Sequence, residues 1–139
     1  MKIGDQARLQ RAFSPADVTD YRAVSGHEVK RDGNRAEDVP EVVPEPLIGA
    51  LFSCLLGMHL PGMGTKYLKQ ETRFHGEARA GETLTAEVRI TRIRPDKHLV
   101  DLETSCTGAD GRSIASGRAL VHVSDVTDVT GPAPGKNDD

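Results

Sequence analysis

Residues Pro46–Phe74 read PLIGALFSCLLGMHLPGMGTKYLKQETRF. From Leu47 to Leu56 every residue is apolar or small. A helix of that composition has no polar side to turn to water, so it is expected to be buried all round. It is too short to span a bilayer, which takes about 20 apolar residues. Its length favours a helix over a buried strand. Pro46 suits the first helical position, where a missing N–H goes unnoticed. Gly57 and then Leu60-Pro61-Gly62 bring the helix to an end. Gly49, Ser53 and Gly57 recur every fourth residue. That leaves one narrow stripe along which a sheet or a ligand can approach the backbone.

Outward from this helix the pattern changes. After Gly64 apolar residues alternate with polar ones across Thr65–His75, and Gly76–Glu82 reads as a turn. Leu84, Ala86, Val88 and Ile90 keep the period-two phase, but Ile93 falls out of it, which predicts a bulge near Thr91-Arg92. Pro95-Asp96-Lys97 turns the chain back into Val100–Cys106. Gly108-Ala109-Asp110-Gly111 is a hairpin turn leading to a last strand over 114–123. On the N-terminal side, Ala7–Phe13 predicts a short strand. Ser14-Pro15-Ala16-Asp17 predicts a capped helix that ends at Ser25-Gly26. Residues 27–45 carry many charges and two prolines with no sustained period, and a loop of that length in a compact domain is functional or mobile. Residues 124–139 read as a disordered tail behind a domain of residues 1–123. The fold class that meets these burial needs is α+β, an antiparallel sheet curled around a central apolar helix. A long sheet with only 4% aromatic residues leaves an edge to cover, and a homodimer covers it.

Composition narrows the function. A chain of 139 residues is long enough for one domain with a real core. Its net charge of −3 offers no electrostatic case for nucleic acid or an anionic membrane. The two cysteines, Cys54 and Cys106, have no metal-ligand spacing and no disulfide framework around them, and are expected to pack as small hydrophobes. The start, MKIGDQARLQRAF, has no apolar core of a signal peptide, so a cytoplasmic location is expected.

The run Ser53-Cys54-Leu55-Leu56-Gly57, followed by Leu60-Pro61-Gly62-Met63-Gly64-Thr65-Lys66-Tyr67-Leu68-Lys69-Gln70, resembles the MaoC-like branch of the hot-dog superfamily. The likeness is nearest to the (R)-specific enoyl-CoA hydratases. Gly81–Val88, Arg94-Pro95-Asp96-Lys97 and the opening Ile3-Gly4-Asp5 match the same pattern, so the resemblance covers residues 1–123 with a gap in the loop. It implies a hot-dog fold, dimers, acyl-thioester substrates in fatty acid metabolism, and no metal or organic cofactor. The implied reaction, a carbon–oxygen lyase step, adds water across a trans-2-enoyl-CoA to give an (R)-3-hydroxyacyl-CoA. That chemistry needs an acid/base pair around one water and a donor on the thioester oxygen.

The family supplies the pair from a G-D-x-N-x-x-H loop after Ser-Gly, and this chain departs from it. In an ungapped register the family's Asp falls on His27 and its His on Asp32, the residue types exchanged. A second register over Asp32-Gly33-Asn34-Arg35-Ala36-Glu37 puts Glu37 in place of the His. The family's oxyanion donor falls in Pro44-Glu45-Pro46, where only Glu45 keeps a backbone N–H. Ser53 is retained and is carried over as a residue that seats substrate or water. The expected site is therefore His27, Asp32, Glu45 and Ser53. Each also has a plainer reading: His27 as a helix C-terminal cation, Asp32-Gly33-Asn34 as an ordinary turn, Glu45 as solvated charge, Ser53 as a packing residue. Lys66, Lys69, Arg73, Arg92 and Arg94 either meet the phosphates of CoA or are a solvated strand face. His59, His75, His98 and His122 lie away from the motif. Two rival activities stay open: thioester hydrolysis, with Asp32, Glu37 or Glu45 activating water, and acyl-thioester binding without catalysis.

Overall fold

The computed structural model describes residues 1–26 and 42–124. The loop 27–41 lies outside the described residues, and with it His27, Asp32 and Glu37. So does 125–139, nearly all of the expected tail; Ser124 is the last residue described. The elements run β1 (Gln6–Ala12), α1 (Pro15–Ser25), α2 (Glu45–Met58), β2 (Thr65–Phe74), β3 (Thr83–Arg94), a 3₁₀ turn (Pro95–Lys97), β4 (Leu99–Thr107) and β5 (Ser113–Val123). The strands form one antiparallel sheet in the order β1-β3-β4-β5-β2, which leaves β1 and β2 at its edges.

Local chemistry sets the ends of α1. The Ser14 hydroxyl accepts from the Asp17 N–H, and the Asp17 carboxylate accepts from the Ser14 N–H, a complete capping box. Gly26 closes the helix at φ 80°, a left-handed conformation that disfavours any residue with a Cβ. The bulge expected near Thr91-Arg92 lies between Ile90 and Arg92.

Helix α2 crosses the inner face of the sheet. Ile48, Leu51, Phe52, Leu55 and Leu56 are buried, at the spacing of one helical face. They pack on Leu84, Ala86, Val88 and Ile90 of β3, on Val100 and Leu102 of β4, and on Ala119 and Val121 of β5. Each fully buried Leu or Phe contributes about 1.5–3 kcal/mol of transfer free energy. The expectation of a helix buried all round needs correction for the single chain. Ala50, Ser53 and Met58 are exposed on its far side, and a Cβ built at Gly49 or Gly57 would meet nothing within 4 Å. The narrow stripe therefore faces away from the sheet. What reads as uniformly apolar is two faces, one of large residues against the sheet and one of small residues left uncovered.

Two contacts fix the far rim. The Glu82 carboxylate takes both Arg112 guanidinium nitrogens, at 2.6 and 3.0 Å, together with the backbone N–H groups of Arg79 and Ala109. This ties the turn before β3 to the β4–β5 hairpin. The Arg112 hydrogen bonds hold the Glu82 carboxyl down at about 2, from an ordinary 4.5. A depressed folded-state pKa adds stability that is complete above the unfolded value and is lost as pH falls through 4.5 towards 2. We expect the thermal midpoint to drop steeply over that interval. Arg112→Met should melt earlier at neutral pH, and in it that part of the slope should be absent.

The second contact lies where β5 meets the edge strand. A Cβ at Gly117 would collide with the Glu71 carbonyl oxygen and lie 2.9 Å from its carbonyl carbon, backbone atoms with no freedom to yield. Gly117→Ala is expected to cost about 3 kcal/mol, roughly 10 °C in the thermal midpoint, measured by calorimetry.

The outer face of the sheet is charged. Arg8 pairs with Glu87 at 3.6 Å, Arg94 with Asp101 at 2.7 Å, Arg118 with Glu71 at 3.7 Å, and Arg89 with Glu103. Exposed pairs of this kind contribute about 0–1 kcal/mol each, so they order the surface more than they stabilise the fold.

Candidate active site

Two of the expected site residues are described, and both belong to α2. Glu45 is its first residue, and Pro44 before it provides no side-chain cap. The Glu45 N–H has no hydrogen-bond partner among the described residues, and Pro46 has no N–H at all. The first turn thus offers one free donor at the positive end of the helix dipole, the electrostatic setting an oxyanion needs. The Glu45 side chain is exposed. Ser53 is exposed as well, in the uncovered stripe with Gly49, Ala50 and Gly57.

The helix does not bring Glu45 and Ser53 into contact. Eight residues separate them, about 12 Å of axial rise and about a quarter turn of azimuth. A substrate touching both must lie along α2, with its thioester end at the first turn. The missing Cβ atoms of Gly49 and Gly57 leave that path open.

A polar cluster that the sequence reading left without a role lies on the inner side of the edge strand. The Tyr67 hydroxyl donates to the Gln70 side-chain carbonyl. The Gln70 amide nitrogen donates to Thr72 Oγ1 at 2.9 Å and to Thr104 Oγ1 at 3.3 Å, and Thr104 is buried in the core. In a regular strand, residues three apart point to opposite faces. The register shift between Tyr67 and Lys69 adds the residue that turns Tyr67 and Gln70 to the same side. The signal was the Tyr-Leu-Lys-Gln spacing, but without the bulge it reads as two separate faces. Partial burial holds the Tyr67 phenol above its usual pKa.

The four other histidines hold structural places. His59 caps α2, its N–H donating to Leu55 O at 3.0 Å. His75 bonds Ser116 Oγ at 2.7 Å, and His98 stacks on His122 with ring centroids 5.6 Å apart. Cys106 is buried, and that burial pushes its thiol up to about 11, while Cys54 is half-buried on α2. No described helix is long and apolar enough to cross a membrane.

This arrangement matches proteins of known activity. No protein-family model matches the chain. An (R)-specific enoyl-CoA hydratase from Aeromonas caviae is 34% identical over 131 residues, spanning 87% of this chain and 94% of that protein. The chain belongs to the (R)-specific enoyl-CoA hydratase family. The corresponding enzyme of Rhodospirillum rubrum is 32% identical over 129 residues, 88% of each chain. The solved structure of the (R)-hydratase from A. caviae involved in PHA biosynthesis superposes with a TM-score of 0.78 at 33% identity. That superposition covers 88% of this chain and 97% of that one. Membership of the hydratase family makes this an α+β hot-dog protein, as its sheet and α2 also show. The MaoC-like resemblance read from residues 53–70 agrees with it.

Proposed function

We propose that this protein is a homodimeric hydratase that adds water reversibly to a trans-2-enoyl-CoA, giving the (R)-3-hydroxyacyl-CoA. The observation that carries the reading is the 34% identity spanning 94% of the A. caviae hydratase. In the proposed mechanism His27 and Asp32 form the acid/base pair around one water. One removes its proton as oxygen attacks Cβ, and a proton is delivered to Cα. The Glu45 N–H takes the enolate charge that builds on the thioester oxygen, with the α2 dipole behind it. Ser53 seats substrate or water further along the helix. No step calls for a metal or an organic cofactor.

The single chain leaves surfaces that a second copy would cover. The small-residue face of α2 is open, and β2 is an edge strand. Met58, Met63, Tyr67 and Leu68 are 64%, 83%, 43% and 54% exposed, and follow one another from the end of α2 into β2. An apolar surface joined to an unpaired strand edge favours a two-fold interface. The free thiols Cys54 and Cys106 fit a reducing, cytoplasmic setting.

Incubation with crotonyl-CoA tests the activity. Loss of the enoyl absorbance with formation of the (R)-3-hydroxy product is the expected result. Release of free CoA thiol without hydration would assign thioester hydrolysis instead. Thermal stabilisation by acyl-CoA without turnover would assign a binding protein.

A further inference from the structure

We propose that the outer face of the sheet, the side away from α2, is a docking surface for an acidic protein. The chain carries a net charge of −3, yet this face is positive. Its carboxylates, Glu71, Glu87, Asp101 and Glu103, are each held by an arginine across a strand boundary. Lys66, Lys69 and Arg73 on β2 and Arg92 on β3 are exposed and have no carboxylate partner among the described residues. Cross-strand register puts them on the outer side: Lys66 lies opposite His122, Lys69 opposite Leu120, Arg73 opposite Ser116, and Arg92 opposite Asp101. That placement takes them away from a substrate lying along α2. A run of unpaired cations on one strand is a local attraction that the chain's overall charge does not supply.

The face is also grooved. A cavity of about 490 Å³ opens over Arg73, Ser105 and Ser116, and a second of about 140 Å³ opens over Lys69, Asp101 and Leu120. The Glu71–Arg118 pair lines both, so the two adjoin where β2 meets β5, in a trough that the first extends across the sheet. Its floor mixes hydroxyls with the half-exposed Leu120. Carboxylates at successive rungs of the trough would repel an unbroken line of phosphates, which disfavours nucleic acid. A second copy of the same face brings the same surplus of positive charge and is disfavoured too. A folded protein surface can place carboxylates over the free cations and neutral side chains between them.

The test uses the full chain and a fluorescein-labelled (Glu-Ser)10 peptide, its carboxylates separated by neutral side chains, followed by anisotropy at low salt. Binding that weakens as salt rises is expected. The Lys66→Gln/Lys69→Gln/Arg73→Gln variant should weaken it at least tenfold. Glu71→Gln, which releases Arg118, should tighten it. Both variants should keep the parent's circular dichroism spectrum, which shows that they fold and keeps the test independent of the hydratase reading. Absence of peptide binding, equal binding by the triple variant, or tighter binding of a deca-thymidylate would each overturn it.

Discussion

Asp32→Asn and His27→Gln are each expected to lower kcat for crotonyl-CoA hydration by about 10³-fold, with KM little changed. Positioned proton transfer contributes about 10²–10⁴ in rate, and this reaction has two such transfers on one water. Removing either partner leaves the water without its base or the Cα carbanion without its acid. The double variant should therefore be hardly slower than the worse single one, since the two groups act as a unit. The pair needs one neutral imidazole and one carboxylate, whichever position holds which. The double exchange His27→Asp/Asp32→His should therefore retain more activity than either of its single changes alone. The alternative register pairs Asp32 with Glu37, and there Glu37→Gln takes the loss while His27→Gln is silent. Steady-state kinetics on these variants decide the matter. Unchanged kcat in both Asp32→Asn and His27→Gln would remove the loop from the mechanism.

What could be read without coordinates follows from how local each signal is. The capping box of Ser14 and Asp17 spans four residues and is fully written in them. The alternation in β3 and its break before Ile93 predict both the strand and its bulge, since one extra residue inverts the phase. The two faces of α2 were harder. Hydropathy groups Gly49, Ala50 and Ser53 with Leu51 and Phe52, while the sheet sorts them by size. The Tyr67–Gln70 bond depends on a bulge at an edge strand, where no second row of buried residues records the phase. Of the expected site, Glu45 and Ser53 were legible as helix positions, because their neighbours dictate a helix. His27 and Asp32 stand in a segment with no period and strong charge, where motif spacing is the only guide.

The largest expected effect on assembly comes from Gly49→Leu. Within one chain a side chain at Gly49 meets nothing within 4 Å, so the fold should accept it. Removing a helix-interior glycine even favours the helix, by about 1 kcal/mol for Gly49→Ala. If the small-residue face of α2 is where a second copy packs, the leucine has no room. Overpacking costs about 1–3 kcal/mol per site, and two-fold symmetry makes each dimer bear it twice. The dimer dissociation constant should then rise by about 10²-fold or more. Circular dichroism should report an intact fold while sedimentation shows monomer at micromolar concentration. Crotonyl-CoA turnover should fall as well, since the leucine also enters the path that a substrate takes past Gly49 towards Ser53. Gly117→Ala gives the opposite pattern, a loss of stability at every protein concentration, since its clash is inside one chain. A Gly49→Leu protein that remains dimeric and active would move the interface off α2, and the substrate path along that helix with it.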